Sequence, residues 1–231
     1  MCAHYQGLSQ PQSYTESFAV KAPTDVTRTD MWPGYEGAFI RRPLNADVAG
    51  AGDEAVPPRE ALKGLFGLVP HWSRDLSLAK RTYNARSETV ADKPSFRDAW
   101  RLARHCIVPL QAFFEPDWRS GRAVATRISH ADGQPLGLAG LWSAWKPPQG
   151  AVVHSFTLLT INADDHPMMK NFHRPGDEKR SVVVLPPERY DDWLAARMED
   201  SMDFLRPIPA ELLRAEAPPT PSLLDPQSTF F

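Results

Sequence analysis

Ile107-Val108-Pro109-Leu110-Gln111-Ala112-Phe113-Phe114, followed by Glu115, carries no charge until that last residue. Its β-branched, Leu and aromatic content reads as a buried strand ending on a carboxylate. Working outward, Leu62–Val69 lies upstream, and Ala123–Ser129, Leu136–Leu141, Val152–Ile161 and Ser181–Leu185 lie downstream, with the same character. Two segments have helical spacing instead. In Pro94–His105 the residues Phe96, Ala99, Trp100 and Ala103 fall at i, i+3, i+4 and i+7, one apolar face. Arg97, Arg101 and Arg104 occupy another face and read as a solvated one. In Pro187–Arg197 the proline suits the first turn, and Tyr190, Trp193 and Leu194 face inward. Strands outnumber helices and most lie close together in sequence. The expectation is an α+β fold with a mainly antiparallel, curved or barrel-like sheet and a few flanking helices.

The chain has 231 residues, of which 42% are hydrophobic and 23% charged, enough for one sizeable core without a metal or disulfide staple. One domain over residues 1–205 is expected, with a loop insertion at about 41–60 and a Pro-rich tail at 206–231. Proline outnumbers glycine, 23 to 13, which predicts loops and short elements. No apolar run is long enough to span a membrane, and no basic-then-apolar leader opens the chain; a cytoplasmic monomer is expected. The two cysteines, Cys2 and Cys106, make no C-x-x-C, so neither a structural zinc nor any cofactor is anticipated. A net charge of −2 excludes a globally basic nucleic-acid coat but not a local basic site. Cys106, ahead of an apolar run, reads as a core thiol.

The chain opens Met1-Cys2. A small second residue generally permits removal of the initiator methionine. Cys2 would then carry a free amine and a thiol on adjacent carbons. The amine, with an ordinary pKa of about 7.7–8, is partly neutral at cellular pH and can form an imine with an aldehyde. The thiol can then close on the imine carbon as a thiazolidine, with the effective molarity of an intramolecular reaction. An internal cysteine cannot do this. A second cysteine that does nothing is the bland alternative.

Further segments carry a resemblance. Gly67-Leu68-Val69-Pro70-His71-Trp72 resembles W-G-L-[IV]-P-x-W, and Asn84-Ala85-Arg86-Ser87-Glu88-Thr89 resembles N-A-R-x-E-T, continued by Lys93-Pro94-Ser95-Phe96-Arg97. Val108 through Glu115 is similar to V-P-x-x-G-[FW]-[YF]-E, and Thr160 through His173 to T-x-x-A-N-x-x-[ML]…[IM]-H. With the Met-Cys start, these ordered segments resemble the SOS-response-associated peptidase (SRAP) family. The chain departs from that pattern at Ala3-His4, where the family has Gly-Arg, at Phe66, at Met31-Trp32-Pro33-Gly34-Tyr35, and in the inserted Arg174–Lys179.

The resemblance implies a sensor of abasic sites in single-stranded DNA, acting in the DNA damage and SOS response. It would link the ring-opened sugar covalently to Cys2 as a thiazolidine after self-maturation removes Met1. It implies catalytic roles for Cys2, Asn84, Glu115 and His173. Glu115, beside two aromatics, can give and take a proton, and His173 can shuttle protons or hydrogen-bond the sugar hydroxyl. Asn84 can hold the Cys2 amine or the sugar hydroxyls, or simply cap a turn. Arg86 is a candidate for the flanking phosphate, or an ion pair with Glu88. Trp72 and Pro70 form an apolar edge suited to stacking on bases, or to core packing. Arg174 and Arg180, with Lys170 and Lys179, make a cationic rim near His173 diluted by Asp177 and Glu178. His71, His105, His154 and His166 read as ordinary surface or core histidines. Two other readings stay open: a cysteine peptidase using Cys2 as nucleophile and His173 as base, and a non-catalytic single-strand binder.

Overall fold

The computed structural model describes residues 2–44 and 57–216. Among the described residues twelve strands join in one sheet: β1 (His4–Gly7), β2 (Asp30–Met31), β3 (Glu36–Arg41), β4 (Glu60–Phe66), β5 (Asn84–Arg86), β6 (His105–Asp117), β7 (Val124–His130), β8 (Leu136–Trp145), β9 (Val153–Asn162), β10 (Arg180–Val182), β11 (Val184–Leu185) and β12 (Leu213–Glu216). The helices among the described residues are α1 (Pro11–Phe18), α2 (Arg97–Arg101) and α3 (Tyr190–Ala195), with several 3₁₀ turns.

Five strands close on themselves: β3 pairs with β4, β4 with β9, β9 with β8, β8 with β6, and β6 returns to β3 at Ile40↔Ile107. Most pairings are antiparallel; β4 and β5 run parallel to β9. The expected curved α+β sheet is thus a closed barrel. Strand alternation builds two apolar layers. Phe39, Phe66, Val108, Leu138, Phe156 and Leu158 share one cluster, which also holds Cys106 as a buried thiol. Ile40, Ile107, Leu141 and Leu159 face the other way, against Phe18 of α1, Trp100 of α2 and Trp193 of α3. Each such buried side chain contributes about 1.5–3 kcal/mol relative to exposure.

β6 positions the site. Its first half pairs with β8, from His105↔Leu141 to Leu110↔Leu136. Beyond Leu110 it leaves the barrel and is flanked by β1 (Tyr5↔Phe113) and β7 (Phe113↔Ile128). Glu115 stands at this projecting end.

Several boundaries differ from expectation. The Pro94–His105 helix is cut to Arg97–Arg101, because Ala103 turns left-handed at φ 46° and sends the chain into β6. Pro187–Arg197 is a 3₁₀ turn at Pro187–Arg189 followed by α3, with Tyr190, Trp193 and Leu194 buried as expected. β4 stops at Phe66 because Gly67 takes φ 121°, with its Cα pressed against the backbone of Ala79 where a side chain would collide. Ser181–Leu185 divides: β10 pairs with β9, β11 with β8, and Val183 bonds to both neighbours between them. At the ends of the 41–60 insertion, Arg41 and Glu60 belong to β3 and β4 and pair through a 2.8 Å ion pair; residues 45–56 lie outside the described residues. The near end of the expected tail is packed. Ile208 is buried, and β12 adds to the free edge of β7, which offers unpaired backbone groups. Residues 217–231 lie outside the described residues.

Candidate functional site

The antiparallel register His4↔Phe114 brings the residues just before β1 alongside the end of β6. Cys2 is fully buried there, and its thiol donates a long 3.5 Å bond to the His4 carbonyl. Burial, and next the charge of Glu115, push this thiol well above the ordinary cysteine range, so it stays protonated. Asn84 enters from a different part of the fold. β5 lies parallel to β9, Asn84↔Leu158, and the Asn84 Nδ2 donates to the Cys2 carbonyl at 2.8 Å. The Glu115 carboxylate is 2% exposed, and its Oε2 lies 3.1 Å from the His173 Nε2.

His173 is held by its backbone. It has φ 66°, a left-handed conformation uncommon outside glycine, and its N–H donates to the Pro116 carbonyl at 3.0 Å. Next to it Phe172 bridges to Asp117, and the Lys179 ammonium donates to the carbonyls of His173 (3.2 Å) and Arg174 (2.7 Å). The loop carrying His173 is therefore stitched to the end of β6. The four residues expected to be catalytic come from four separate places in the chain and meet here. Tyr83 was not anticipated. It is half-buried beside Phe66, and its hydroxyl is pushed up by burial and by its nearness to Cys2 and Glu115. Its only sequence signal is its place next to Asn84.

The expected DNA-facing residues divide. Trp72 is exposed, while Pro70 is buried. Arg86 is exposed, and its ion pair is with Glu178 (3.1 Å), not Glu88. Arg174 is exposed, with its guanidinium 6.0 Å from the Trp118 ring centre. Arg180 does not belong on a rim. It is 2% exposed, bonded to Glu88 at 2.8 and 2.9 Å, to Glu178 at 2.7 Å and to the Thr160 carbonyl at 2.8 Å. The β9–β10 pairing points it under those two carboxylates, where it clamps the strands. Of the remaining histidines, His105 bonds to Ser201 (2.9 Å) and His166 to the Ile208 carbonyl (2.7 Å), both core roles. Among the described residues no group of three or more His, Cys, Asp or Glu side chains could hold a metal ion. No described helix is long and apolar enough to cross a membrane.

Comparison with known proteins finds relatives by sequence and by fold. The chain is 29% identical over 146 residues to abasic site processing protein YoqW of Bacillus subtilis, covering 62% of this chain and 60% of that one. It is 24% identical over 164 residues to abasic site processing protein HMCES of Gallus gallus, covering 48% of the latter. The chain thus spans between about half and three fifths of the length of these curated relatives. A crystal structure of a Bordetella bronchiseptica protein shares 47% identity and a TM-score of 0.82 over 94% of this chain and 99% of its own. A Bacteroides thetaiotaomicron structure shares the fold alone, with TM-score 0.72 at 19% identity over 94% of this chain and 91% of its own. The family model described as SOS response associated peptidase (SRAP) matches residues 1–218, and the chain belongs to that family.

Proposed function

We propose that this protein captures abasic sites in single-stranded DNA as a covalent thiazolidine on Cys2, after removal of Met1. The observation that carries the reading is the convergence at the end of β6: Cys2 beside Glu115, the Glu115–His173 pair at 3.1 Å, and Asn84 fixing the Cys2 carbonyl. The relatives' names as abasic site processing proteins support it.

The chemistry balances without a co-reactant. The freed Cys2 amine adds to the C1′ aldehyde of the ring-opened sugar. The carbinolamine loses water as the Glu115–His173 pair protonates the departing hydroxyl. The thiol sulfur adds to the imine carbon, and its proton passes through Glu115 to the ring nitrogen. The net reaction joins aldehyde and aminothiol and releases one water. The raised thiol fits this order, with the amine acting first and the sulfur acting only once an acceptor carbon sits beside it. It disfavours a cysteine peptidase, whose nucleophile needs a lowered pKa. Removal of Met1 would be the peptidase step of the family name. The Glu115 carboxylate and His173 are the proton carriers, and exposed Arg86, Arg174 and Trp72 are the phosphate- and base-facing contacts. The protein is proposed to act as a monomer.

Incubation with a single-stranded oligonucleotide bearing one abasic site is expected to give a slowly migrating adduct, which Cys2→Ala abolishes. A wild-type yield from Cys2→Ala overturns the reading. Acetylating the mature N-terminal amine separates the alternatives, since it blocks aldehyde capture but leaves a thiol peptidase active.

A further inference from the structure

Beside the Cys2 site lies an aromatic column that the chemistry above does not use. The His4 ring is sandwiched between Trp32, 4.2 Å away at 10°, and Phe114, 4.1 Å away at 11°. Asp30 locks the column from the side. One carboxylate oxygen takes the His4 Nε2 at 2.5 Å, and the other accepts the Trp32 indole N–H at 3.1 Å. The outer ring, Trp32, is 42% exposed, and Tyr35 three residues on is 38% exposed, with the Arg28 guanidinium 4.5 Å over its ring. An exposed indole already held in one orientation loses little entropy when another ring stacks on it. The Arg28 cation over Tyr35 suits a sugar–phosphate chain.

Position ties this surface to the lesion site. β2 pairs with β1 (Tyr5↔Met31), and β1 with β6 (His4↔Phe114), so the column lies on the outer face of β6 at Phe114, one residue before Glu115, whose side chain turns to the opposite, buried face. Cys2 lies two residues before His4, at most about 7 Å along the chain. That is the reach of roughly one nucleotide of extended single strand.

We propose that Trp32 is a stacking platform for the nucleobase next to the abasic sugar, with His4 and Phe114 as its backing and Asp30 as its lock. His4 then serves as the middle ring of the column, held by Asp30, and not as a cation for phosphate. The proposal rests on the abasic-site reading, and names the neighbour that the site grips. Trp32 is a positioning residue; it touches no reacting atom.

The test compares wild type, Trp32→Ala and Trp32→Phe. With an abasic-site oligonucleotide, Trp32→Ala is expected to raise the half-saturating DNA concentration about five- to hundredfold, the range of one lost base–aromatic stack. The crosslinking rate at saturation stays near wild type, and Trp32→Phe recovers most of the loss. Capture of 2-deoxyribose 5-phosphate, an aldehyde source with no base, is unchanged. An unaltered half-saturation overturns the proposal, and so does an equal loss on the baseless sugar, which would mean a distorted Cys2 site. Binding of an intact single strand, read by fluorescence anisotropy, needs no chemistry at Cys2. Weaker anisotropy binding by Trp32→Ala without any adduct from wild type would retain the platform and sink the crosslinking reading. Equal anisotropy binding by both proteins would sink the platform.

Discussion

Glu115 is buried with its carboxylate on His173, so replacing its charge by a neutral amide removes a proton carrier without leaving a hole. Glu115→Gln is expected to slow single-turnover crosslinking by about 10²–10³-fold, as loss of general acid–base catalysis does, while the adduct still accumulates over long times. Quenched time points on a denaturing gel check this. Asn84→Ala loses the 2.8 Å bond to the Cys2 carbonyl. It is expected to cost about 0.5–1.5 kcal/mol in stability, the net worth of one neutral hydrogen bond, and to lower the capture rate by loosening Cys2. The Cys2 thiol, raised by burial and by Glu115, holds little thiolate at pH 8. Iodoacetamide is therefore expected to label Cys2 far more slowly in the folded protein than in urea, which mass spectrometry reads directly. These residues were legible in the sequence because each sits in a motif. Tyr83 was not, because only tertiary packing brings it to Cys2 and Glu115. Arg180 was misplaced for the same kind of reason: its sequence neighbours Asp177 and Glu178 look like a solvated loop, and only β10 pairing buries it.

β6, β8 and β9 announced themselves because each is a long apolar run, and the barrel needs them on both faces. β1, β3 and β5 did not. Ala85 is the one fully buried residue of β5, and Asn84–Arg86 is a strand only because β9 supplies its hydrogen bonds. The helix at Arg97–Arg101 was over-extended because its periodicity continues into Ala103, where a left-handed turn ends it. Two element-scale predictions follow from these joints. Gly67→Ala forces a side chain at φ 121° into the Ala79 backbone. It is expected to destabilise by at least about 2–4 kcal/mol, the range for strained backbone plus overpacking, measured by urea titration. Arg180→Leu removes the buried guanidinium's hydrogen bonds and leaves the partly exposed Glu88 and Glu178 to solvent, and is expected to cost about 1–3 kcal/mol. If Arg180 faced DNA instead, the same variant would keep its stability and lose affinity.

The molecule as a whole has a pH window set by its buried titratable groups. His105 is driven down to about 4 by burial, so the unfolded chain, near 6.5, binds a proton that the folded chain refuses. Stability from this residue is full above pH 6.5 and is lost as pH falls towards 4. The gap is worth roughly 3 kcal/mol. Burial raises Tyr14 to about 12 and Cys106 well above its usual range, so stability also declines as pH climbs past their ordinary values of about 8.5–10. Thermal melts across this range should show both limbs, with the acid limb reduced in His105→Gln. Within that window the fold does one thing for the chemistry: it carries residue 2 to the far end of β6. Peptide mass mapping after incubation with an abasic-site oligonucleotide, followed by nuclease and trypsin, tests this most directly. The expected product is a peptide starting at Cys2, carrying the sugar remnant with the loss of one water, and with a sulfur that iodoacetamide cannot label. An adduct on another residue, or on a Cys2 whose thiol still alkylates, would contradict the account.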